Sequence, residues 1–298
     1  MAGLPRSIPV SSKPIITLTS DFGLDDAYVG VMKGVILGIN PDVTLVDICH
    51  TIEPQNIQQA AFVLSTAIPY FPQDTIHLVV VDPGVGGARR PIILETDRAI
   101  FVAPDNGVLS YVVHAASSKR ISKPTLMRLP PPLQAFEIAK PTYWHHPVST
   151  TFHGRDIFAP IAAHISLGRP LEELGQSISS INVLPLPKPR TDARGNITGH
   201  VVHIDHFGNL ITSIARGDLP PGSYSIRVAG HRIRSLSRSY EDGQGLLALI
   251  GSSGHLEIAL KEGSAARLLG SKPGDEVHII RRQSGQAREQ SGAWVHCA

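Results

Sequence analysis

The sequence predicts an α/β N-terminal domain with a mostly parallel central sheet, followed by a smaller antiparallel β-barrel-like C-terminal domain. In the first half of the chain, short apolar stretches alternate with segments whose apolar residues recur every three or four positions. This is the pattern of strand–helix–strand units in a three-layer fold. Beyond residue 194, short strands follow one another between Gly-rich turns, which is typical of an antiparallel barrel or sandwich.

The elements of the N-terminal domain follow from these patterns. Val29, Met32 and Ile36 share one face of a helix after the first strand, and the apolar run 76–81 is of the kind that is buried on both faces of a parallel sheet. The segment 117–150 is rich in Pro and Lys and has no clear period, so we expect an irregular insertion or a surface loop there. The predicted strands are 15–19, 43–48, 76–81 and 98–103, and the predicted helices are 29–39, 57–68, 106–114 and 156–166.

A Pro-rich segment separates the two predicted domains. Pro185, Pro187 and Pro189 alternate with other residues within 184–194, which is the composition of a linker. We therefore predict the α/β domain at 13–184 and the barrel-like domain at 195–282, with flexible termini at 1–12 and 283–298. The strands expected in the second domain include 200–204, 225–228, 246–250 and 276–280.

Composition and charge exclude several classes of protein. Of the 298 residues, 42% are hydrophobic and 17% are charged, and the net charge is only +2, so the chain has a globular composition without the basic face that nucleic acid requires. No apolar run approaches the roughly 20 residues of a membrane span, and residues 1–12 lack the apolar core of a signal peptide. Cys49 and Cys297 alone form neither a disulfide framework nor a zinc site. We expect a cytoplasmic protein with no nucleic-acid or membrane partner.

Polar clusters follow three of the predicted parallel strands. Because ligands of open parallel sheets bind beyond the carboxyl ends of the strands, three aspartates at one edge favour a shared pocket over three unrelated turns. The glycines at 84–87 lack the G-x-G-x-x-G spacing of a dinucleotide loop, and we interpret them as allowing close backbone approach to an uncharged part of a ligand. The clusters are Ser20-Asp21-Phe22-Gly23, Asp82-Pro83-Gly84-Val85-Gly86 and Asp105-Asn106-Gly107.

Other polar residues leave more than one interpretation open. Of the adjacent Arg89 and Arg90, one can be structural while the other reaches the pocket as a fixed cation. The segment 150–156 holds a hydroxyl, an imidazole, a guanidinium and a carboxylate before a helix, which suits either a helix cap or a catalytic set. The histidines at 145, 146 and 153 fit no helical metal motif. The segments 205–209 and 251–254 fit either hairpin turns or binding loops.

These segments, in this order, resemble the family of S-adenosyl-L-methionine hydroxide adenosyltransferases, which are relatives of the fluorinase and chlorinase that make 5′-halogenated adenosine. The resemblance extends from about Ile15 to Ile280. It rests on the segments ITLTSDFG, VVDPGVGGARR, APDNG, STTFHGRDIFAP, IDHFGN and IGSSGHLEIAL. It implies hydrolysis of S-adenosyl-L-methionine at its C5′–S bond, giving adenosine and L-methionine without a cofactor, by a homotrimer whose ligand sites lie between neighbouring subunits.

The resemblance also implies roles for individual residues. Asp82, Arg89 and His153 match the catalytic set of the hydroxide-using branch, which halide-using members lack. Asp21 resembles the carboxylate that binds both ribose hydroxyls. In the second domain, Asp205 resembles a partner of the methionine ammonium, Phe207 packs on adenine, Asn209 reads the adenine edge, and Ser252 contacts the methionine carboxylate. Ser253 departs from the arginine of the halogenases.

Three other functions remain open from the sequence. The first is a halogenase that forms 5′-chloroadenosine. The second is a metal-dependent hydrolase that uses Asp21, Asp25, Asp26 and His153. The third is a non-catalytic protein that binds adenosine or S-adenosyl-L-methionine. The retained Asp–Arg–His set favours water over chloride or fluoride as the nucleophile, and the spacing of the histidines argues against a metal site.

Overall fold

A computed structural model describes residues 13–281 of the chain, apart from 118, 120 and 244. The chain divides into two compact units, Met1–Leu186 and Pro187–Ala298. This division falls within the Pro-rich segment, between the domain bounds that the sequence predicts. The segments predicted as flexible termini, 1–12 and 283–298, lie outside the described residues.

The first unit is built on a seven-stranded sheet. The strands of the first unit, including two outside this sheet, are β1 Ile15–Ser20, β2 Thr44–Cys49, β3 Thr75–Val80, β4 Pro91–Glu95, β5 Ala99–Pro104, β6 Thr125–Arg128, β7 Gln134–Ile138, β8 Gly175–Ile178 and β9 Ser180–Val183. The sheet order is β2-β1-β3-β5-β4-β7-β8, and β6 pairs with β9 apart from it. Strands β2, β1, β3 and β5 are mutually parallel, and β4, β7 and β8 then alternate in direction. Because β7 points the same way as β5, five of the seven strands share one direction.

Helices cover both faces of this sheet. They are α1 Tyr28–Ile39, α2 Ile57–Ala67, α3 Ser110–Ala115, α4 Ala159–Ser166 and α5 Leu171–Leu174. On one face, Met32 of α1 and Ile161 of α4 pack in the same core as Leu78. On the other face, Leu64 of α2 and Val113 of α3 pack with the alternate residues of the strands. Every residue of β3 is buried, as expected for a central parallel strand.

The expectation of an irregular surface loop at 117–150 is wrong. This segment contributes β6 and also β7, which lies inside the sheet between β4 and β8. Ala135, Phe136 and Ile138 of β7 are buried, so this strand contributes to the apolar cores on both faces of the sheet. The prolines at 130–132 and 141 flank a strand of only five residues, which is too short to show a clear period. Strand β4 is also absent from the elements that the sequence predicts.

The second unit is an antiparallel sheet of eight strands. These are β10 Arg190–Thr191, β11 Ile197–Ile204, β12 Leu210–Ala215, β13 Tyr224–Val228, β14 His231–Ile233, β15 Leu246–Ile250, β16 His255–Leu260 and β17 Glu276–Arg281, with one helix, α6 Ala265–Leu269. The order is β14-β13-β17-β11-β12-β16-β15, with β10 beside β11. The end strands β14 and β15 contact each other, and the N–H of Ser237 donates to the carbonyl of Ala248 (2.8 Å).

The sheet of the second unit therefore nearly closes on itself around its own apolar core, which includes Leu210, Ile226, Ile258 and Val277. Together with the mostly parallel sheet of the first unit, this confirms the predicted fold class. Within the described residues, none of the helices combines the length and apolar character needed to cross a membrane.

The burial of β7 gives a direct test of the corrected fold. Phe136 is 2% exposed in the sheet, whereas Leu126 of β6 is 60% exposed. We expect Phe136→Ala to lower the free energy of unfolding by about 3–5 kcal/mol, because it removes buried apolar area and leaves a cavity. Leu126→Ala should change it by no more than about 0.5 kcal/mol. Urea unfolding of both variants measures the difference, and equal effects would contradict the placement of β7 in the core.

Candidate active site

The three polar clusters meet at one edge of the first unit's sheet. They follow β1, β3 and β5, which are adjacent and parallel. Their carboxyl ends therefore open on the same side, where the ligands of parallel sheets bind. This confirms that the aspartates at 21, 82 and 105 share one edge, and it leaves their roles to be decided by what each contacts.

Asp82 and Arg89 form a partly buried ion pair in the loop after β3. Nε of Arg89 donates to Oδ1 and Oδ2 of Asp82 (2.9 Å each), and Nη2 also contacts Oδ2. The side chains are 6% and 10% exposed, respectively. The guanidinium carbon also lies 5.2 Å from the centre of the Phe158 ring, a cation–π distance. The guanidinium is thus held by a carboxylate on its edge and a ring on its face.

His153 completes this set through a hydrogen bond to the same guanidinium. Nη2 of Arg89 lies 2.8 Å from Nδ1 of His153. Because a guanidinium can only donate, Nδ1 must accept. The ring that this geometry supports is therefore neutral and carries its proton on Nε2. The structure thus brings together Asp82, Arg89 and His153, which the sequence assigned to one set.

The surroundings of His153 also favour the neutral ring. Burial and the positive charge of Arg89 lower the pKa of His153 below its ordinary value, and this outweighs the opposing influence of Asp82, Asp156 and a hydrogen bond with the backbone of Ser149. A buried imidazole beside a fixed cation is expected to lose its proton more readily. Taking up a proton at Nδ1 would also require the Arg89 contact to break.

Close backbone approach fixes the two loops that carry Arg89 and His153. Gly86 has φ +75°, and a Cβ at this position would overlap the carbonyl oxygen of Thr150. A Cβ on Gly154 would lie within 3.0–3.3 Å of Met32, Phe152 and Val80. At Gly86 only glycine allows such an approach, and at Gly154 a Cβ would require the neighbouring side chains to shift. The glycine-rich loop after β3 therefore packs on the 150–154 segment.

Asp156 anchors the segment that ends at His153. It is fully buried within a π-helical turn, Gly154–Phe158, that leads into α4. Its carboxylate accepts from the N–H of Ser149 (2.8 Å) and from Nε and Nη2 of Arg155 (2.6 and 3.0 Å). Although burial raises the pKa of Asp156, the bonds from Arg155 and Ser149 outweigh it and lower the pKa. Asp156 is therefore a buried anchor of the loop and not a helix N-cap.

The adjacent arginines have separate roles. Arg90 is paired with Asp105 (Nη2–Oδ2 2.5 Å) and also donates to the carbonyl of Ser180. The other carboxylate oxygen of Asp105 accepts from the N–H of Asn182 (2.7 Å). This pair ties the ends of β4, β5 and β9 together. Arg90 and Asp105 are thus structural, and Arg89 is the cation that faces His153.

Asp21 lies at the end of β1 in a turn that the end of β2 holds in place. Its Oδ2 accepts from the N–H of Gln55 (2.8 Å), and the N–H of Gly23 donates to the carbonyl of His50 (2.7 Å). The ring of His50 bridges Oγ of Ser20 (2.7 Å) and Oδ1 of Asp47 (3.0 Å). Oδ1 of Asp21 makes no hydrogen bond to any described residue, so it is available to a ligand. Sequence reasoning missed His50.

In the second unit, Asp205 shapes the turn between β11 and β12. Its Oδ1 accepts from the N–H groups of Phe207 and Asn209, and its Oδ2 accepts from the side chain of Asn209, at 2.9 Å each. Asn209 is buried, whereas Phe207 is 74% exposed. Asp205 therefore accepts three hydrogen bonds within the turn, and the side chain of Asn209 donates one of them. Phe207 presents an open aromatic face.

Ser252 lies in the hairpin turn between β15 and β16, next to a buried carboxylate that the sequence analysis missed. Glu257 is 6% exposed, accepts a hydrogen bond from Tyr240, and would overlap a Cβ on Gly251. Burial raises the pKa of Glu257, and the charge of Asp205 adds to this. Glu257 thus lies between the 205–209 and 251–254 turns. The sequence feature that could have identified Glu257 is its position as the single acidic residue within the otherwise apolar run 256–260.

The histidines and aspartates considered for metal binding make other contacts. Nε2 of His146 lies 2.8 Å from the carbonyl of Pro141, and Nδ1 of His145 lies 3.6 Å from Asp156. Across the described ranges, no group of three or more His, Cys, Asp or Glu side chains is arranged to hold a metal ion. Asp21, Asp25, Asp26 and His153 therefore do not form such a group.

A partly buried Asp–Arg–His set at the ligand-binding edge of a sheet marks the protein as an enzyme of the α/β class. The chain matches the model of the S-adenosyl-L-methionine hydroxide adenosyltransferase N-terminal domain over residues 16–175 and that of the C-terminal domain over residues 199–278. The chain belongs to the S-adenosyl-L-methionine hydroxide adenosyltransferase family.

Individual relatives agree with this family. An (R)-S-adenosyl-L-methionine hydrolase of Thermus thermophilus is 38% identical over 269 residues, which cover 90% of this chain and all of that protein. A fluorinase of Nocardia brasiliensis is 29% identical over 70% of this chain and 73% of its own length. A crystal structure of a conserved protein from Thermotoga maritima, described as uncharacterized, has a TM-score of 0.78 and 37% identity over 90% of this chain and all of that one.

The contact between the two loops predicts unequal effects of two glycine substitutions. Gly86 and Gly168 both have positive φ, but a Cβ on Gly168 would meet no atom within 4 Å. Gly168→Ala should cost about 1–2 kcal/mol of unfolding free energy, the cost of a left-handed backbone. Gly86→Ala should cost at least about 1 kcal/mol more, because its Cβ also displaces Thr150. Chemical denaturation compares the two variants. A cost for Gly86→Ala no larger than that for Gly168→Ala would contradict the close approach.

Proposed function

We propose that this protein hydrolyses S-adenosyl-L-methionine at the C5′–S bond and releases adenosine and L-methionine. The observation that carries the proposal is the contact of Arg89 with His153 and Asp82 (2.8 and 2.9 Å). This contact places a fixed cation and an imidazole side by side at the ligand-binding edge. Membership of the family and the name of the Thermus relative support the same reaction.

The chemistry needs one well-placed oxygen. The oxygen of water or hydroxide attacks C5′ in line with sulfur, the C5′–S bonding pair moves to sulfur, and methionine leaves as a neutral thioether. One proton of the water is released, so the sum is sulfonium plus water giving adenosine, methionine and a proton. Because an anion and a cation combine, charge is dispersed in the transition state, and a site that excludes bulk water favours it. The protein supplies position and charge, and the reaction requires no cofactor.

The three side chains divide this task. The positive charge of Arg89 favours the hydroxide form of the attacking oxygen. Asp82 fixes the plane of the guanidinium through its paired hydrogen bonds. Because Nδ1 of His153 accepts from Arg89 and its ring N–H has the backbone of Ser149 as a partner, we propose that His153 orients the Arg89 guanidinium toward the oxygen, and that the proton leaves to solvent.

The remaining candidate residues would hold the substrate. The free Oδ1 of Asp21 suits the ribose hydroxyls, and the exposed ring of Phe207 suits the face of adenine. Asp205 would bind the methionine ammonium, with Glu257 beside it, and Ser252 would contact the methionine carboxylate. Asn209 would reach the adenine edge only through the side-chain atoms that are not bonded to Asp205.

The assembly and its location complete the proposal. An exposed aromatic such as Phe207 is suited to a site closed by a neighbouring copy, so we propose a homotrimer with sites between subunits. Two cysteines and a near-neutral charge suit a cytoplasmic protein without a nucleic-acid or membrane partner. Sedimentation equilibrium of the full chain measures the number of subunits.

Isotope labelling tests the reaction itself. Incubation with S-adenosyl-L-methionine in oxygen-18 water should place the label in the 5′-hydroxyl of adenosine, because the oxygen of water attacks C5′. Mass spectrometry of the products detects it. The same reaction in concentrated chloride should give no 5′-chloroadenosine. Unlabelled adenosine, a chlorinated product, or substrate that binds and stays intact would each contradict the proposal.

Removal of either partner of the Arg–His contact should slow turnover. We expect Arg89→Ala and His153→Ala each to lower kcat at least about tenfold while substrate still binds, since both act mainly on the attacking oxygen. Arg169→Ala is the matched control, because Arg169 is exposed on the surface. Steady-state kinetics and calorimetric binding separate the two effects. An unchanged kcat in either catalytic variant would remove that residue from the mechanism.

The lowered pKa of His153 sets the pH dependence of turnover. Since the neutral ring persists to lower pH than an ordinary histidine, kcat should stay constant as pH falls to about 6.5 and decline only below that value, as His153 gains a proton and loses the Arg89 contact. His153→Gln should lack this acidic decline. A pH–kcat profile of the two proteins measures it. A decline centred at or above the ordinary histidine value would contradict a neutral, Arg89-bound ring.

A further inference from the structure

A row of mostly basic side chains crosses the outer face of the second unit's sheet. Residues that are directly opposite on neighbouring strands point to the same side of a sheet. Arg232 pairs with Arg227, Arg227 pairs with His278, His278 pairs with Thr198, and Thr198 pairs with Arg190. Five adjacent strands therefore contribute one straight row. Three of its members are arginines and one is a histidine.

The register makes this row electrostatically unfavourable in the isolated protein. Arg227 and Arg232 are exposed and lie directly opposite each other on β13 and β14. Like charges at such positions repel, and a guanidinium cannot lose its charge. Among the described residues, neither guanidinium forms an ion pair with a carboxylate. The nearby Glu276 instead lies within ion-pair distance of His278 (3.3 Å) and His200 (4.0 Å).

A pocket opens at the end of the row. It has a volume of about 360 Å³ and is formed by the turn between β13 and β14 together with the side chains of Arg227, Arg232, Glu276 and His278. The turn residues Ala229 and Gly230 both have positive φ, 46° and 76°, so the hairpin is tight. The volume falls in the range of small-molecule sites, which is roughly 300–1,000 Å³.

We propose that this pocket binds a phosphate-bearing anion of small-molecule size, such as an inorganic polyphosphate or the polyphosphate chain of a nucleotide. Guanidinium groups bind phosphate oxygens through paired hydrogen bonds. Adjacent strands lie about 4.8 Å apart, so Arg227 and Arg232 are close enough to bind one phosphate together. The row continues beyond the pocket to Arg190, which suits a chain of phosphates over a single one.

A small anion fits this surface better than nucleic acid does. The net charge of the chain is +2, and the other basic residues are mixed with acids, so the surface is one narrow row and not a broad basic face. None of the residues in the row belongs to the set proposed for S-adenosyl-L-methionine. The inference therefore stands or falls independently of the proposed reaction.

Titration calorimetry of the full chain with inorganic tripolyphosphate tests the proposal. The wild-type protein should bind the probe, and the double substitution R227Q/R232Q should weaken binding at least tenfold. R238Q should bind like wild type, because Arg238 is 94% exposed, lies within ion-pair distance of Asp242 (3.5 Å) and neither forms the pocket nor belongs to the row. The double variant should keep its turnover of S-adenosyl-L-methionine and an unfolding temperature at least equal to wild type, since it removes a repulsion.

Two competition experiments distinguish a small phosphate-bearing anion from nucleic acid. ADP should compete with tripolyphosphate, and a short single-stranded oligonucleotide at the same phosphate concentration should compete less well. Absence of binding to the wild-type protein at millimolar probe would overturn the proposal. So would equal binding by wild type and R227Q/R232Q, or stronger competition by the oligonucleotide. If R227Q/R232Q unfolds at a lower temperature than wild type, R190Q provides a second test. It should weaken tripolyphosphate binding at least twofold.

Discussion

The account of this protein depends on one hydrogen bond, from the guanidinium of Arg89 to Nδ1 of His153. Arg89 cannot accept, so the bond fixes the tautomer of the imidazole. The Asp82 carboxylate in turn fixes the guanidinium. A fixed cation is thereby held beside a neutral imidazole at the ligand-binding edge of the sheet. A site of this kind stabilises an anionic oxygen, which is what attack on a sulfonium-bearing carbon requires.

The scaffold makes this bond possible in two ways. Parallel strands β1, β3 and β5 bring their carboxyl ends to one edge, so residues distant in sequence meet there. Backbone contact at Gly86 and the buried anchor Asp156 then hold the loops of Arg89 and His153 against each other. The ion pair of Arg90 with Asp105 ties the neighbouring strand ends, so that the loop bearing both arginines has little freedom. Position is therefore supplied by the fold before any ligand binds.

Much of this was predictable from the sequence, because it depends on local pattern. The apolar runs located β1, β3, β5 and β15, and the ordered segments brought Asp82, Arg89 and His153 into one set. What failed depends on tertiary context. β7 is a five-residue strand among prolines, and only its neighbours in the sheet make it a core strand. The pairing of Arg90 with Asp105, and the burial of Glu257 beside Asp205, follow from packing that spacing does not encode.

The protonation state of one ring tests the central claim most directly. Nitrogen-15 NMR of histidine-labelled protein at neutral pH reports which ring nitrogen carries the proton, and comparison with His153→Gln assigns the signal. The account predicts that His153 is neutral, with a protonated Nε2 and an unprotonated Nδ1, and that Arg89→Ala removes this preference. A ring protonated on Nδ1, or on both nitrogens, would contradict it.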